Sequence, residues 1–317
     1  MYKTKRIAVV VPAYNESNLI SKVIETMPEV VDKILVVDDK STDNTVEIVK
    51  KYVREMGDRI QLIEHQENQG VGGAIATGYK ECRNQEFDVT VVMAGDAQMN
   101  PDDLPDLIEP IIEDTADYTK GNRLFTGDAW NQIPKIRYLG NSVMSLLTKI
   151  ASGYWNMADS QSGYTAVNLK VLKSIDWDKM YKKYGQPNDL LVRLNIFNFR
   201  VRDVPVSPVY NIGEKSGVKP IRMIPRLSWL LFKLFIYRLW HKYVIRDFHP
   251  LVFFYAMAFF LLIASVPLGF RVFYYWWVLD LSIPSINALA WMSSVIAGLQ
   301  SLFFAMWFDM EYNRDLR

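Results

Sequence analysis

The chain has 317 residues, a formal net charge of +1, a composition that is half hydrophobic, and one cysteine. Near-neutral charge gives no electrostatic footprint for nucleic acid, and the lone Cys82 excludes an intramolecular disulfide and a thiolate zinc cluster. The hydrophobic half is unevenly spread. The length of 317 residues by itself suggests one large domain or two smaller ones, but the first 220 residues read as soluble, whereas most of the remainder is apolar and aromatic.

The opening stretch MYKTKRIAVVVPAYNES holds an apolar run that Pro12 interrupts, too short for a signal-peptide core or a membrane span, so the chain is expected to start in the cytosol. Ile7–Val11 reads as a strand, followed by helical spacing at Leu19, Ile20, Val23, Ile24 and Met27. Ile34–Val37 repeats the arrangement, ending in Asp38 and Asp39 before a helix with Val46, Ile48 and Val49, for which Ser41 or Asp43 is the expected cap. Ile60–Ile63 is a third strand. Gly70, Gly72 and Gly73 open the next helix, where they either permit a tight turn or let the helix N-terminus face phosphate. Val89–Met93 is the fourth strand, and Asn100, Pro101, Asp102 and Asp103 start a capped helix after it. Strands alternating with helices at this spacing predict an α/β fold with a mostly parallel sheet covered on both faces.

In such sheets ligands sit beyond the carboxyl ends of the strands. There Asp96 and Gln98 offer oxygens two positions apart, which suits Mg²⁺ or Mn²⁺ shared with a substrate diphosphate. Asp38 and Asp39 are adjacent acids at a strand end: either a turn, or acceptors for a nucleobase imide or ribose hydroxyls. Arg123 ends another strand, and Arg137, Asn141 and Ser142 begin an amphipathic helix. Arginines are ordinary surface cations by default, but a guanidinium also binds phosphate in two-pronged fashion. Asn188 and Asp189 read as a helix start.

The ordered segments Val11-Pro12-Ala13-Tyr14-Asn15-Glu16, Val37-Asp38-Asp39-Lys40-Ser41-Thr42-Asp43 and Met93-Ala94-Gly95-Asp96-Ala97-Gln98 resemble glycosyltransferase family 2, in its branch of polyprenyl-phosphate (dolichyl-phosphate) hexose synthases. The resemblance covers the first 220 residues and implies a GT-A (Rossmann-like) fold, a nucleoside-diphosphate sugar donor, a divalent metal and inversion at the anomeric carbon. By position it implies that Pro12, Tyr14 and Glu16 line the nucleotide pocket with Asp38, and that Asp39 contacts base or ribose. Asp96 and Gln98 would hold metal and diphosphate, with Asp96, Arg123 and Arg137 as the catalytic set. Arg123 and Arg137 would align the acceptor phosphate, joined by Asn141 and by Ser162 in the segment Asp159–Tyr164. Two departures stand out. Ala94 occupies the place of the family's first metal-binding aspartate, and Tyr210 or Asn211 that of an arginine, which leaves a phosphate clamp to Lys215. Magnesium keeps several waters and relies on one or two carboxylates plus phosphate, so Asp96 is enough in principle.

Beyond residue 220, Arg222, Arg226 and Lys233 share one helical face, and Arg238, Lys242 and Arg246 another. These predict two amphipathic interfacial segments over 221–249, bent near Phe235 to Tyr237, with Trp229, Leu230, Leu234, Leu239 and Trp240 turned to lipid and the cations to anionic head groups. Packing of the apolar faces on the soluble domain is the competing expectation. Pro250–Phe270 and Ile286–Phe308 are uncharged and long enough to span a bilayer, with an aromatic belt at Phe273–Trp277 between them. The basic stretch before the first span places the 1–220 domain and both termini in the cytoplasm of a two-span protein over 250–317 in the cell membrane. The expected partners are a nucleotide sugar, a polyprenyl phosphate and the membrane; a homo-oligomer is compatible with the chain. Two other readings stand beside this one: a membrane-tethered sugar-nucleotide binding module without turnover, which Ala94 and the altered loop favour, and a transferase whose acceptor is a growing polysaccharide, which is opposed by two spans that cannot by themselves readily enclose a polymer channel.

Overall fold

In the computed structural model of the chain, residues 2–124, 135–207, 209, 220–279 and 281–317 are described, with backbone only at 135–141 and 220–223. The chain forms two compact units, Met1–Phe235 with Asp315–Arg317, and Ile236–Arg314.

The first unit is built on a sheet of seven strands: β1 (Ile7–Ala13), β2 (Lys33–Asp38), β3 (Ile60–Glu64), β4 (Val89–Val92), β5 (Tyr118–Asn122), β6 (Thr165–Asn168) and β7 (Val201–Pro205). Their order is β3-β2-β1-β4-β6-β5-β7. Every pairing is parallel except those of β6, which runs antiparallel to both β4 and β5. Two reversals restore direction, so β5 and β7 point the same way as β1, β2 and β4. The carboxyl ends of those strands and the entry to β6 therefore lie along one rim.

Helices α1 (Ile20–Glu25), α2 (Thr45–Met56), α3 (Val71–Asn84), α4 (Leu104–Ile112), α5 (Lys135–Ser152), α6 (Leu169–Ser174) and α7 (Gln186–Ile196) accompany the sheet. Alternate residues of one strand enter two different cores. Val9, Val11, Val36 and Val91 pack with Ile20, Ile24, Leu104 and Ile108. Ala8, Val10, Leu35 and Val37 pack with Ala74, Tyr79, Cys82 and Leu190. Burial of both faces is why these strands read as unbroken apolar runs. Cys82 is a packing residue whose thiol burial pushes up to about 12. At Gly78 a Cβ would lie 2.3 Å from Val10 Cγ1, so only glycine lets α3 approach β1 this closely.

Helix α8 (Pro220–Trp240) runs unbroken through Phe235–Tyr237, where a bend was expected; the winding widens instead to a π-helical turn at His241–Arg246. Leu230 and Leu234 pack against Val192 and Ile196 of α7, and Leu239 is buried. The lipid-facing expectation is thus overturned for these three leucines, because the domain's own apolar surface covers Leu230 and Leu234. Trp229 and Trp240, each 59% exposed, keep the outward orientation.

Two of the juxtamembrane cations also turn inward. Within the second unit the Arg238 guanidinium is fully buried and grips the Asp309 carboxylate with both nitrogens, at 2.8 Å each. Tyr243 donates its hydroxyl to Asp309 at 2.5 Å, and Lys242 donates to Asn313 at 2.7 Å. Burial and the neighbouring Arg238 charge lower Lys242 to about 7. Arg238 and Lys242 are therefore not offered to lipid head groups; Arg246 is exposed.

Helix α9 (Leu251–Phe273), extended by π turns to Val278, and helix α10 (Ser285–Tyr312) are each long and apolar enough to cross a membrane. Most of their surface is exposed, unlike that of helices inside a soluble core. They meet through small residues: a Cβ on Gly298 would lie 2.9 Å from Leu262 Cγ, and one on Gly269 2.6 Å from Trp291 Nε1.

Candidate active site

The chain lays β2 and then β3 on one side of β1 and returns to place β4 on the other, so β1 and β4 flank the switch point of the sheet, where open α/β folds open a crevice. Three loops meet there. Asn15 N–H donates to Ser41 Oγ (2.9 Å), Glu16 N–H to Thr45 Oγ1 (2.9 Å) and Ser17 N–H to Asp43 Oδ2 (3.1 Å), tying the β1 loop to the β2 loop. Gly95 N–H donates to the Pro12 carbonyl at 3.2 Å, tying in the β4 loop. Asn15, Lys40 and Ala97 all have positive φ, 57°, 65° and 55°. Each costs roughly 1–3 kcal/mol for a residue with a side chain, and such strain gathers at functional sites.

Asp43 anchors the start of α2 by accepting from Thr45 N–H at 3.0 Å. Pro12 is buried in β1, while Tyr14 is 49% exposed beyond it. Asp38 is buried; its Oδ2 accepts from Ser41 N–H at 2.9 Å, and its Oδ1 has no hydrogen-bond partner among the described residues. An acceptor buried without a donor costs about 1–3 kcal/mol, so this oxygen suits a ligand N–H or O–H. Asp39 is engaged within the fold: it accepts from Gln69 N–H (2.8 Å) and Gly70 N–H (2.7 Å) and pairs with His65 Nδ1 (2.8 Å). His65, which sequence reasoning passed over, bridges on to Thr77 at 2.9 Å. The phosphate alternative for the glycine-rich start of α3 fails for the same kind of reason. Gly72 and Gly73 N–H both donate to the Lys182 carbonyl, at 2.9 and 3.3 Å.

Asp96 Oδ1 accepts from Gln98 N–H at 3.1 Å, a local turn that draws the two residues together. Glu16 lies against Gly95, where a Cβ would lie 3.4 Å from Glu16 Cγ, within reach of the Asp96 charge. Half-burial first, then the charges of Asp96 and Asp43, push the Glu16 carboxyl up to about 7. Among the described residues no group of three His, Cys, Asp or Glu side chains could hold a metal unaided. The oxygen-only set of Asp96, Gln98 and Glu16 fits a hard divalent cation that takes its other ligands from water and substrate phosphate.

Toward β5, Arg123 clasps the buried Asp159 through Nε (2.7 Å) and Nη2 (3.1 Å). Asp159, held below the usual carboxylate range by Arg123 against the opposing effect of burial, also accepts from Gln161 N–H at 3.1 Å. Beneath them lies Lys120, a fully buried cation that the sequence reading did not single out. Its Nζ donates to the carbonyl of Ser162, itself buried, and desolvation lowers it to about 8. Asp203, opposite Lys120 in β7, accepts from Ala158 N–H at 2.7 Å and is raised to about 6, chiefly by burial. The β7 exit joins the rim as well, since Val209 N–H donates to the Gln98 carbonyl at 2.9 Å.

Asn188 and Asp189 lie inside α7 rather than capping it; Asp189 pairs with Arg193 and accepts from Tyr181 N–H at 2.7 Å. Arg137 and Asn141 fall on the opening turns of α5, where only the backbone is described, and Tyr210, Asn211 and Lys215 lie outside the described residues.

With neighbouring strands about 4.8 Å apart, Asp38 ends β2 while Asp96 and Arg123 follow the ends of β4 and β5, strands that lie two positions apart from β2 to β4 and from β4 to β5. The rim thus runs from an acceptor suited to a nucleoside, past an acidic and amide cluster, to a guanidinium. A mostly parallel sheet with this rim at its switch point has the GT-A arrangement. Its likeness to the glucosyl-3-phosphoglycerate synthase of Mycobacterium tuberculosis, solved with Mn²⁺, UDP and glucosyl-3-phosphoglycerate, is one of fold: TM-score 0.52 at 19% identity, over 74% of this chain and 80% of that one.

The family model "Glycosyl transferase family 2" matches residues 8–176, and the chain belongs to that family. It is 31% identical to the UDP-N-acetylglucosamine–dolichyl-phosphate N-acetylglucosaminyltransferase of Methanococcus voltae, over 65% of this chain and 86% of that protein. It is 29% identical to the undecaprenyl-phosphate mannosyltransferase of Micrococcus luteus, over 67% and 87% respectively.

Proposed function

We propose that the protein moves a hexosyl unit from a nucleoside-diphosphate sugar to a polyprenyl phosphate at a membrane, with inversion at the anomeric carbon. The observation that carries this reading is the single rim that holds Asp38, the Glu16–Asp96–Gln98 cluster and the Arg123–Asp159 pair in that order. The relatives that act on dolichyl and undecaprenyl phosphate support the acceptor class. The GT-A neighbour crystallised with Mn²⁺ and UDP supports a divalent metal and a nucleotide donor.

Asp38 Oδ1 accepts from the base or ribose, with Pro12 and Tyr14 beside it, while Asp39 shapes the pocket through Gln69, Gly70 and His65. Asp96 and Gln98, with Glu16 alongside, hold Mg²⁺ or Mn²⁺. When bound, that ion neutralises charge on the departing nucleoside diphosphate. Arg123 and Arg137, with Asn141 and Ser162, align the acceptor phosphate, whose oxygen bonds to the anomeric carbon as the bond to the diphosphate breaks. Lys215 clamps the diphosphate. The acceptor is already anionic near neutral pH, so no strong general base is needed and positioning does the work. The two apolar helices keep the enzyme in the membrane where a polyprenyl chain resides, with the catalytic domain and both termini in the cytoplasm.

Purified protein incubated with a panel of labelled nucleotide sugars, Mn²⁺ and polyprenyl phosphate is expected to yield label in the organic phase with at least one donor. Ala94 is what favours a binding module without turnover. Donor binding with no lipid-linked label from any donor would support that module, and label in a polymeric fraction a polysaccharide acceptor.

A further inference from the structure

Gln300 is the sixteenth of the 28 residues of α10, roughly 23 Å along a helix of roughly 42 Å at 1.5 Å per residue. That depth lies inside a hydrocarbon core of about 30 Å. The side chain is exposed and no hydrogen bond to it is present among the described residues. A carboxamide presented to hydrocarbon without partners is costly. It is also not needed between α9 and α10, because that contact uses the opposite face of α10, through Gly298 against Leu262 and through the buried Ser301 and Ala305.

We propose that the outward face of α10 centred on Gln300 is an interface with a second copy of this chain. The proposal rests on the reading that α9 and α10 cross a membrane. An amide carries both donors and an acceptor, so it is its own complement: across a two-fold axis each carbonyl accepts an N–H from the other copy. Two copies inserted in the same sense bring Gln300 to the same depth, which no other bilayer component is bound to do; an isoprenoid tail has no polar group to offer there. Exposed Ser293, seven residues before Gln300, lies on this side toward the helix N-terminus and allows the backbones to approach.

The test uses full-length protein in liposomes at low protein-to-lipid ratio. Buried Cys82 stays unreactive, so Ser293→Cys reports contacts between copies. Oxidation is expected to give a species of twice the 36.7 kDa chain mass for Ser293→Cys and not for Phe260→Cys, which is exposed on α9. Adding Gln300→Leu is expected to weaken self-association about three- to tenfold, read by photobleaching step counts, with sugar transfer by each copy retained. Equal cross-linking at both cysteines, a monomeric wild type, or Gln300→Leu dimerising as well as wild type would each overturn the interface. Alkaline carbonate extraction separates the two levels. Protein that stays in the membrane pellet but does not cross-link refutes the interface alone, whereas protein released to the supernatant refutes the membrane reading and the interface with it.

Discussion

Replacing Lys120 by Met is expected to spare stability while impairing transfer. Lys120 is fully buried, and its fall from 10.5 to about 8 corresponds to about 3 kcal/mol against folding at pH 7, at about 1.36 kcal/mol per tenfold change in proton affinity. Against this relief, the variant leaves the Ser162 carbonyl without its donor, a loss of about 1–3 kcal/mol. The two nearly cancel, so Lys120→Met should lie between no change and about 2 kcal/mol more stable at pH 7. A base whose folded value is lowered weighs against folding fully below about pH 8, and that weight disappears as the pH rises toward 10.5. Wild type should therefore gain on the variant across that window. Activity should move the other way. The segment Asp159–Gly163, which positions Arg123 through Asp159, loses the tie from Ser162 to β5, and kcat/KM for the acceptor should fall at least tenfold with donor KM little changed. Denaturant melts of detergent-solubilised full-length protein at pH 7 and 10, beside steady-state kinetics, read both effects. A variant destabilised by more than about 3 kcal/mol at pH 7, or one with wild-type kinetics, refutes this account of Lys120.

Ala94→Asp should tighten Mn²⁺ binding about tenfold or more, followed by electron paramagnetic resonance; unchanged affinity would place the ion elsewhere. Gly72→Ala sets a Cβ 2.4 Å from the Tyr181 carbonyl oxygen, a backbone atom that cannot swing away, and should lower stability by about 1–3 kcal/mol or more in the same melts. Asp309→Asn removes half of a fully buried ion pair and should cost about 3–5 kcal/mol in detergent, whereas Asp309→Leu combined with Arg238→Met should recover most of it. A double variant as unstable as the single one would contradict that.

The fold was legible where burial is two-sided. Val9–Val11 and Ile34–Val37 are apolar throughout, and Val89–Val92 apart from the buried Thr90, because both faces of those strands are covered, and the loops that follow them carry the three motifs. What escaped was contact between residues far apart in the chain. Lys120 sits in Tyr-Thr-Lys-Gly-Asn, a polar-looking strand that lies between β6 and β7, both of which come from far along the chain. Asp309 lies one residue past the uncharged run that marked the second span, and its partner Arg238 is 71 residues earlier. A helical wheel grouped Arg238 with Lys242 correctly, but the wheel has no view of what packs against that face. The same limit hid the use of Asp39, whose partners at Gln69 and Gly70 come from the far side of β3.

The most direct test is metal-dependent sugar transfer to polyprenyl phosphate by wild type and Asp96→Ala, each reconstituted at equal amount and checked for intact folding. Organic-phase label that requires Mn²⁺ or Mg²⁺ and falls at least a hundredfold in Asp96→Ala is the expected result. Undiminished label from Asp96→Ala, or from wild type stripped of metal with chelator, would contradict it.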